Sequence, residues 1–405
     1  MKKLKKNFYL FILLLLFSFN VIEAIDINLY HAWTGAEEIS LRENIKKYET
    51  FSGNKVICRY VPFKLLKDEF VIKNTEKEPI DIIIGPADWV GYFAVKKSIC
   101  PLEEMLTDKI KEGFITNVLD GCKYNNLYYG LPESYKVAAL IVNKDIVKKV
   151  PETTEQLLEL SRKLTDVKTS KYGLVYEHLN FYFHSAWIAG FGGAILDNNK
   201  MPAFNSDQHR DALEFVKTLL DEKKPAMPNY TDYNIVMTLF RNGLAGMMIN
   251  GPWVLKDLME SDLNIEIAKI PIVSKTERQA KPLLQSEVIM LSEFSKNKKA
   301  VFELINFLTE IEQQVVMVKS GHLPSKRGVY ENKEIKNSKI YKYLLGFAFQ
   351  AWQSVPLPTS PELSIGVWPF GNTILKKTLL ENANISETSQ AVQKRAETNI
   401  NELKK

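Results

Sequence analysis

Short apolar runs alternate with amphipathic segments along most of this 405-residue chain, and this rhythm constrains the fold more than any other feature. Residues 79–85 form a nearly continuous apolar run, which is typical of a strand covered on both faces of a parallel sheet. Leu41, Ile45 and Tyr48 recur at helical spacing after an earlier strand-like segment. The alternation predicts an α/β fold with mostly parallel sheets. The chain is too long for one ordinary core, so we expect two lobes.

The individual elements are predicted from the same patterns. Thr34 and Glu37 have the spacing of a capping box, which predicts Thr34 as the N-cap of the first helix. Trp187 and Trp352 lie within helix-like stretches and are predicted to be core residues. Residues 190–193 are glycine-rich without the spacing of a nucleotide fingerprint, which favours a packing turn. Strands are predicted over residues 25–33, 56–61, 79–85, 138–142 and 245–249, and helices over residues 153–164, 207–220, 300–318 and 386–403.

The first 24 residues have the layout of a secretory signal peptide. Four lysines precede an apolar run over residues 8–19, and the segment ends on Ala24. The run is short of the roughly 20 residues that span a bilayer, although an uncleaved anchor is the alternative. Cleavage after Ala24 is predicted. No cysteine lies near that residue, so a free periplasmic protein is expected rather than a lipoprotein.

The charge balance argues against a nucleic-acid partner. The formal net charge is +5, but without the four leader lysines and Glu23 the chain carries 49 basic and 47 acidic residues. This balance gives no basic footprint for nucleic acid. No later segment is apolar enough to predict a membrane span.

Three cysteines remain after the leader, and export would permit disulfides. Cys100 and Cys122 are one available pair, and Cys58 would then be unpaired. Buried free thiols are the other interpretation, because pairing cannot be derived from sequence alone.

Aromatic and polar residues follow several of the predicted strands. Trp33 follows the first strand, Asp88 and Trp89 follow the isoleucine-rich run, and Trp253 follows the strand at 245–249. In open α/β sheets, ligands bind beyond the carboxyl ends of the strands. A sugar offers apolar C–H faces that stack on flat rings, and hydroxyls that need planar polar partners. Large rigid aromatic rings beside a carboxylate therefore predict a carbohydrate site, with core packing as the alternative for each tryptophan.

Residues 240–253 carry the first family resemblance. Their sequence, ending in Asn250-Gly251-Pro252-Trp253, resembles a stretch of the extracellular solute-binding proteins that serve ATP-driven sugar importers, the maltose-binding-protein-like family. Four further features agree in order, and the resemblance spans nearly the whole chain after the leader. They are residues 128–132 with 139–145, residues 190–193, residues 321–325, and Trp368.

The resemblance implies a periplasmic-binding-protein type II fold, in which two α/β lobes joined by crossing hinge segments close on a sugar, a di- or oligosaccharide. It implies no enzymatic activity and no cofactor or metal. Lobe 1 would comprise residues 25–134 and 287–325, and lobe 2 residues 138–282 and 330–405, with hinge crossings near 135–137, 283–286 and 326–329. The implied partners are a small carbohydrate and the transmembrane permease subunits of an ABC transporter. A monomer is expected.

The resemblance also implies roles for single residues. Asp88 corresponds to an acceptor for sugar hydroxyls, and Tyr182, Trp253 and Trp368 correspond to stacking aromatics. Lys136 and Asn180 fall where the maltose-binding protein of this family has carboxylates, which argues against maltose itself. The complete set of candidate ligand-binding residues is Trp33, Glu37, Asp88, Trp89, Lys136, Asn180, Tyr182, Trp253 and Trp368.

Two alternatives to a sugar-binding protein remain open. Residues 31–35 also resemble members that bind a glycerol phosphate, and Lys136 would answer the phosphate charge. A secreted glycosidase would need two carboxylates about 5–10 Å apart across a sugar. The available carboxylates form no recognisable acid/base pair by spacing; they are Asp81, Asp88, Glu133 and Glu177. No hydrolase or metal motif is present. The five histidines show no metal-ligand spacing, and His184 and His322 are predicted to be hydrogen-bonded structural residues.

Overall fold

The computed structural model describes residues 24–74 and 79–403, and most of the predicted signal peptide lies outside them. Within that part of the chain, no helix is long and apolar enough to cross a membrane. The strands are β1 Asp26–His31, β2 Lys55–Tyr60, β3 Ile82–Pro86, β4 Lys123–Tyr124, β5 Leu127–Tyr128, β6 Gly130–Lys136, β7 Ala139–Asn143, β8 Tyr172–Val175, β9 Ala245–Asn250, β10 Ile265–Ala268, β11 Ile272–Val273, β12 Arg278–Gln279, β13 Leu283–Leu291, β14 Leu323–Pro324 and β15 Val355–Pro356.

Helices surround these strands on both sides. The α-helices are α1 Ala36–Ser52, α2 Phe63–Lys73, α3 Asp88–Val95, α4 Asp108–Glu112, α5 Thr116–Asp120, α6 Thr154–Leu164, α7 Phe181–Gly190, α8 Asp207–Leu219, α9 Tyr233–Arg241, α10 Leu255–Met259, α11 Lys298–Leu308, α12 Ile311–Val318, α13 Arg327–Glu331, α14 Lys333–Lys336, α15 Tyr341–Ala351, α16 Trp368–Leu375 and α17 Ile385–Leu403. Short 3₁₀ and π turns connect them at Val167–Thr169, Pro252–Val254, Leu363–Val367 and Lys376–Leu380.

Lobe 1 is built on a sheet with the strand order β14-β6-β13-β3-β1-β2, to which β15 adds beside β13. The pairs β1–β2 and β1–β3 are parallel, whereas β13 runs antiparallel to both β3 and β6. Lobe 2 is built on the order β10-β7-β9-β8, in which only the β8–β9 pair is parallel. The prediction of mostly parallel sheets is therefore wrong. Strand β13 enters the lobe 1 sheet from lobe 2, whereas β6 leaves that sheet for lobe 2, so β13 runs opposite to both β6 and β3.

The apolar runs form strands that are covered on both faces, as predicted. In β3, Ile82 and Ile84 pack with α1 and α11, while Ile83 faces the opposite core with Phe70 and Phe93. Side chains alternate between the two faces of a strand, so such a strand must be apolar throughout. Strand β7 repeats this arrangement in lobe 2. Helices cover both faces of the two sheets, and the two-lobe α/β class is confirmed.

Three local predictions are wrong. The first helix begins after Gly35, which adopts φ 59° and has no side-chain cap, so Thr34 does not form the capping box. Residues 300–318 form two helices, α11 and α12, because Glu310 adopts an extended backbone between them. Trp352 follows the last turn of α15 and is 79% exposed, although Trp187 is fully buried as predicted.

The structure also tests the predictions made for the cysteines and for two of the histidines. All three cysteines are free, and burial raises the pKa of the Cys100 thiol to about 11. His322 is hydrogen-bonded through both ring nitrogens, as predicted. Both ring nitrogens of His184 lack a partner among the described residues, so that prediction is wrong. Its ring lies in an apolar cluster with Phe181, and burial lowers its pKa well below the ordinary value.

Candidate functional site

Trp33 and Asp88 follow adjacent strands at the same edge of the lobe 1 sheet. Strand β1 ends at His31, whose Nδ1 accepts a hydrogen bond from the backbone N–H of Trp33 at 3.2 Å. Strand β3 ends at Pro86, and Asp88 is the first residue of α3. Parallel strands bring their carboxyl ends together, so this edge is where the sequence predicted a site.

Asp88 makes a direct bond to lobe 2. The indole Nε1 of Trp368 donates to its Oδ2 at 2.7 Å. Burial raises the pKa of the Asp88 carboxyl, while the bond from Trp368 and the charge of Lys67 oppose this rise. Two of the predicted ligand-binding residues are thus in contact across the lobes.

Lys136 stands at the end of β6, where the chain passes from lobe 1 to lobe 2. Its Nζ forms an ion pair with Glu287 of β13 at 2.9 Å. Burial disfavours its charge, but Glu287 and Glu37 more than offset that effect and raise its pKa. The positive charge of Lys136 is therefore already compensated by carboxylates of this chain.

A buried histidine connects two further carboxylates beside Trp33. His322 contacts Glu133 through Nδ1 at 2.7 Å and Glu37 through Nε2 at 3.0 Å. The rings of Trp33 and His322 meet edge to face with centroids 4.9 Å apart. Glu37 stands in the first turn of α1, so the predicted capping-box partner of Thr34 instead bonds to His322.

An aromatic pair forms the lobe 2 side of the candidate site. The rings of Tyr182 and Trp253 lie 6.2 Å apart, at the start of α7 and just after β9. Gly251 allows the indole to fold back over the backbone, because an added Cβ there would overlap the Trp253 ring. Neither ring is fully buried, which leaves area for stacking.

Asn180 positions this aromatic pair. It is the N-cap of α7, and its Oδ1 accepts a hydrogen bond from the backbone N–H of Tyr182 at 3.1 Å. The preceding backbone N–H, of Phe181, donates to the Oδ1 of Asn372 in α16 at 2.8 Å. These caps fix α7 against α16, which carries Trp368 at its start. An amide is well suited to this capping role.

The two lobes approach closely at two places that flank these residues. A Cβ added at Gly321 would lie 3.3 Å from the carbonyl oxygen of Pro252, next to Trp253. A Cβ added at Gly91 in α3 would overlap the carbonyl oxygen of Thr359. The hydroxyl of Thr359 also donates to the carbonyl oxygen of Lys123 at 2.5 Å. Asp88, Trp253 and Trp368 therefore lie along the boundary between the lobes.

A family model described as bacterial extracellular solute-binding protein matches residues 34–315. This chain belongs to that family. The match covers Asp88 at the lobe 1 edge and the lobe 2 aromatic pair, and it begins one residue after Trp33.

Individual members of the solute-binding family are similar to this chain at low identity. A maltotriose-binding protein of Pyrococcus abyssi is 28% identical over 294 residues, which are 71% of this chain and 63% of that protein. A galactooligosaccharide-binding protein of Bacillus subtilis is 24% identical over 80% of this chain and 77% of that protein. The maltose/maltodextrin-binding domain of Bdellovibrio bacteriovorus bound to maltotriose has a TM-score of 0.82 at 26% identity, covering 93% of this chain and all of that one. The fold is thus that of the maltose-binding proteins.

Trp89 is placed apart from the other candidates of this solute-binding protein. Its ring is buried in the second lobe 1 core, stacked on Phe63 at 5.2 Å and edge-on to Phe93 at 5.9 Å. Gly85 lies directly beneath it, because an added Cβ there would meet the indole. The sequence placed Trp89 next to Asp88, but consecutive residues of a helix face different directions.

Three charged residues at the site received no ligand-binding role from the sequence. Glu287 was not singled out, since its position in β13 lies far along the chain from Lys136. His322 was predicted to be structural, and Glu133 was considered only as a glycosidase carboxylate. The resemblance of residues 321–325 to the solute-binding family was the one sequence feature that indicated the part of the site around His322.

A cavity of about 720 Å³ lies elsewhere on the molecule. It is lined by parts of α5, α13 and α15, with Tyr135, Tyr330 and the exposed Trp352 among its walls. None of the predicted ligand-binding residues contributes to it. Among the described residues, no group of three or more His, Cys, Asp or Glu side chains is arranged to hold a metal ion.

Proposed function

We propose that this chain is an exported binding protein that captures a neutral oligosaccharide of the maltotriose class and delivers it to an ABC transporter permease. The observation that carries the proposal is the pairing of Tyr182 and Trp253 opposite a carboxylate edge containing Asp88. Flat rings suit the C–H faces of sugars, and buried polar groups suit their hydroxyls, because unpaired polar groups would be penalised. The named sugars of two relatives support the same class.

A neutral ligand is favoured over a glycerol phosphate by the charges at the site. Lys136 is the residue that would answer a phosphate, yet Glu287 lies 2.9 Å from its Nζ. Glu37, Glu133 and Asp88 add further carboxylates nearby. A phosphate would have to displace or repel these groups, whereas sugar hydroxyls can donate hydrogen bonds to the carboxylates and accept one from Lys136.

Binding without catalysis is favoured by the arrangement of the carboxylates. Glu37 and Glu133 are both engaged by the imidazole of His322, which lies between them. A glycosidase needs its two carboxyl groups on either side of a glycosidic bond. The similar proteins of Pyrococcus abyssi and Bacillus subtilis are binding proteins.

The mechanism we propose is closure of the two lobes around the sugar. Lobe 1 would comprise residues 25–134 and 287–325, lobe 2 residues 138–282 and 330–405, and the crossings 135–137, 283–286 and 326–329 would act as hinges. A ligand that contacts both lobes favours the closed form by its differential affinity for it. The permease would then recognise the closed monomer.

Titration calorimetry with maltotriose tests this function. We expect maltotriose to bind, glycerol 3-phosphate to give no signal, and chromatography to recover the sugar intact after incubation. Recovery of shortened sugars would show that the protein cleaves its ligand and would overturn a function limited to binding. Binding of glycerol 3-phosphate alone would overturn the sugar class, and preference for galactooligosaccharides would correct it.

Export is tested separately. The gene product with its leader is expressed in a bacterium with two membranes, and the periplasmic fraction is analysed by mass spectrometry. We expect a protein that begins at Ile25. Retention of the full chain in the inner membrane would contradict cleavage after Ala24.

A further inference from the structure

His322 lies at the centre of a chain of polar contacts that runs from the protein interior to the lobe boundary. Glu133, on β6, contacts its Nδ1, and Glu37, on α1, contacts its Nε2. A ring that meets carboxylates at both nitrogens donates two N–H groups, so the imidazolium form satisfies both contacts. A neutral imidazole has one N–H and would leave one carboxylate without a donor.

The members of this chain differ in exposure. The side chains of His322 and Glu133 are each 3% exposed, whereas that of Glu37 is 27% exposed. Glu37 is therefore the member that a ligand can reach, and the two buried residues lie behind it. Lys136 has the same arrangement, because its partly exposed ammonium is held by the buried Glu287.

The contacts around His322 place Glu37 beside the proposed sugar site. Gly321, the preceding residue, lies against Pro252 of lobe 2, next to Trp253. The ring of Trp33 meets the His322 ring edge to face. Glu37 and Lys136 are close enough for each to influence the other's charge.

We propose that His322 is a positioning residue that holds the Glu37 carboxylate, ionised and fixed in direction, as an acceptor for a sugar hydroxyl. This inference rests on the proposed function, since it assigns a ligand contact at the same site. The hydroxyl of the sugar would donate to Glu37, and His322 would touch no ligand atom. The Glu37 carboxylate would thus bind the sugar hydroxyl, and His322, on the side away from the ligand, would set its orientation.

The charges that face His322 support this role. The two carboxylates are Glu133 from β6 and Glu37 from α1, and the nearby cation is Lys136, at the end of β6. Burial of the His322 ring disfavours its positive charge, but these two carboxylates raise the pKa of His322 to about 10. Burial also opposes ionisation of Glu37, yet the bond and charge of His322 lower its pKa. Both groups are therefore charged across the neutral pH range.

A double-mutant cycle on maltotriose affinity tests the inference. We expect Glu37→Gln and His322→Gln each to raise Kd roughly tenfold, a loss typical of one hydrogen bond to a charged group. The double variant should be no weaker than Glu37→Gln alone, because His322 acts through Glu37. Independent, multiplying losses would overturn the inference, and so would wild-type affinity in either single variant.

The matched control is Glu38→Gln on the same helix. Glu38 is 26% exposed, much like Glu37, but forms an ion pair with Arg42 instead of His322. We expect it to bind maltotriose with wild-type affinity. An equal loss in Glu38→Gln would show a general effect of charge on α1 and would overturn the inference.

The pH profile separates positioning from a purely structural role. In His322→Gln the two carboxylates lose the cation that lowers the pKa of Glu37, so affinity should fall as the pH is lowered from 7 to 5. The wild-type protein and the double variant should show no such fall. A flat profile in His322→Gln would overturn the inference.

A measurement on the wild-type protein covers the case in which His322→Gln does not fold. Nitrogen-15 NMR of the histidine side chains should show both nitrogens of His322 protonated at pH 8. A neutral ring at that pH would overturn the inference. If the wild-type protein binds no maltotriose at all, the proposed function fails instead, which is a distinguishable result.

Discussion

Trp368 donates its indole N–H to Asp88 at 2.7 Å, although the two residues are 280 positions apart and belong to different lobes. Asp88 is buried, so its carboxylate depends on this donor. The bond joins the start of α16 to the start of α3. It couples a proposed stacking ring to a proposed hydroxyl acceptor, and both belong to the surface that we propose closes on a ligand.

Trp368→Phe should weaken maltotriose binding by roughly tenfold or more. The ring remains for stacking, but a buried carboxylate loses a donor, which costs about 1.5–3 kcal/mol for a charged partner. Calorimetric titration measures the effect, and Trp352→Phe is the control because that ring is exposed and distant from the candidate residues. Unchanged affinity in Trp368→Phe would mean that the bond does not support the closed form.

Trp253→Ala should abolish most of the sugar affinity without unfolding the protein. The ring is partly exposed and pairs with Tyr182, so its loss removes stacking area more than core packing. We expect Kd to rise at least about tenfold, since truncation of an aromatic anchor costs about 2 kcal/mol or more. Trp187→Ala, in the fully buried core, should show the opposite pattern and lower the melting temperature. A melting temperature that falls equally in both variants would contradict this separation.

Gly91→Ala should hinder closure of the lobes. The added methyl group overlaps the backbone of Thr359 in lobe 2, and backbone cannot move aside as a side chain can. Small-angle scattering with saturating maltotriose should show a more open particle than wild type, with affinity reduced roughly tenfold. Gly113→Ala is the control, because its nearest neighbour would lie at an ordinary 3.5 Å. A fully compact Gly91→Ala complex would show that the lobes close without this contact.

The stability of the protein should depend on pH through His322. Its pKa is raised from 6.5 to about 10, so the stabilisation from its proton is complete below pH 6.5 and is lost as pH rises through about 10. We expect the free energy of unfolding in urea to decline over that window in wild type, and to decline less in His322→Gln. Parallel curves for the two proteins would contradict a raised pKa.

The strands and helices that carry the site could be predicted because their patterns are local. The apolar run of β3 and the helical face of Leu41, Ile45 and Tyr48 report burial directly, and burial follows from side-chain period. Strand direction could not be predicted in the same way. β13 reverses relative to β3 because the chain returns from the other lobe, and no local pattern records that path.

The same division holds for the candidate site. By itself the sequence determined the export-like leader, the two α/β lobes, the aromatic and carboxylate residues at strand ends, and the family to which they belong. The tertiary structure decided which of those residues meet: Asp88 with Trp368, Lys136 with Glu287, and Glu37 with His322. The tertiary structure also buries the Trp89 ring in a core and makes Asn180 the N-cap of α7. The physical reason is that hydrogen bonds and ion pairs between residues far apart in the chain form only when packing of the two lobes brings their elements together.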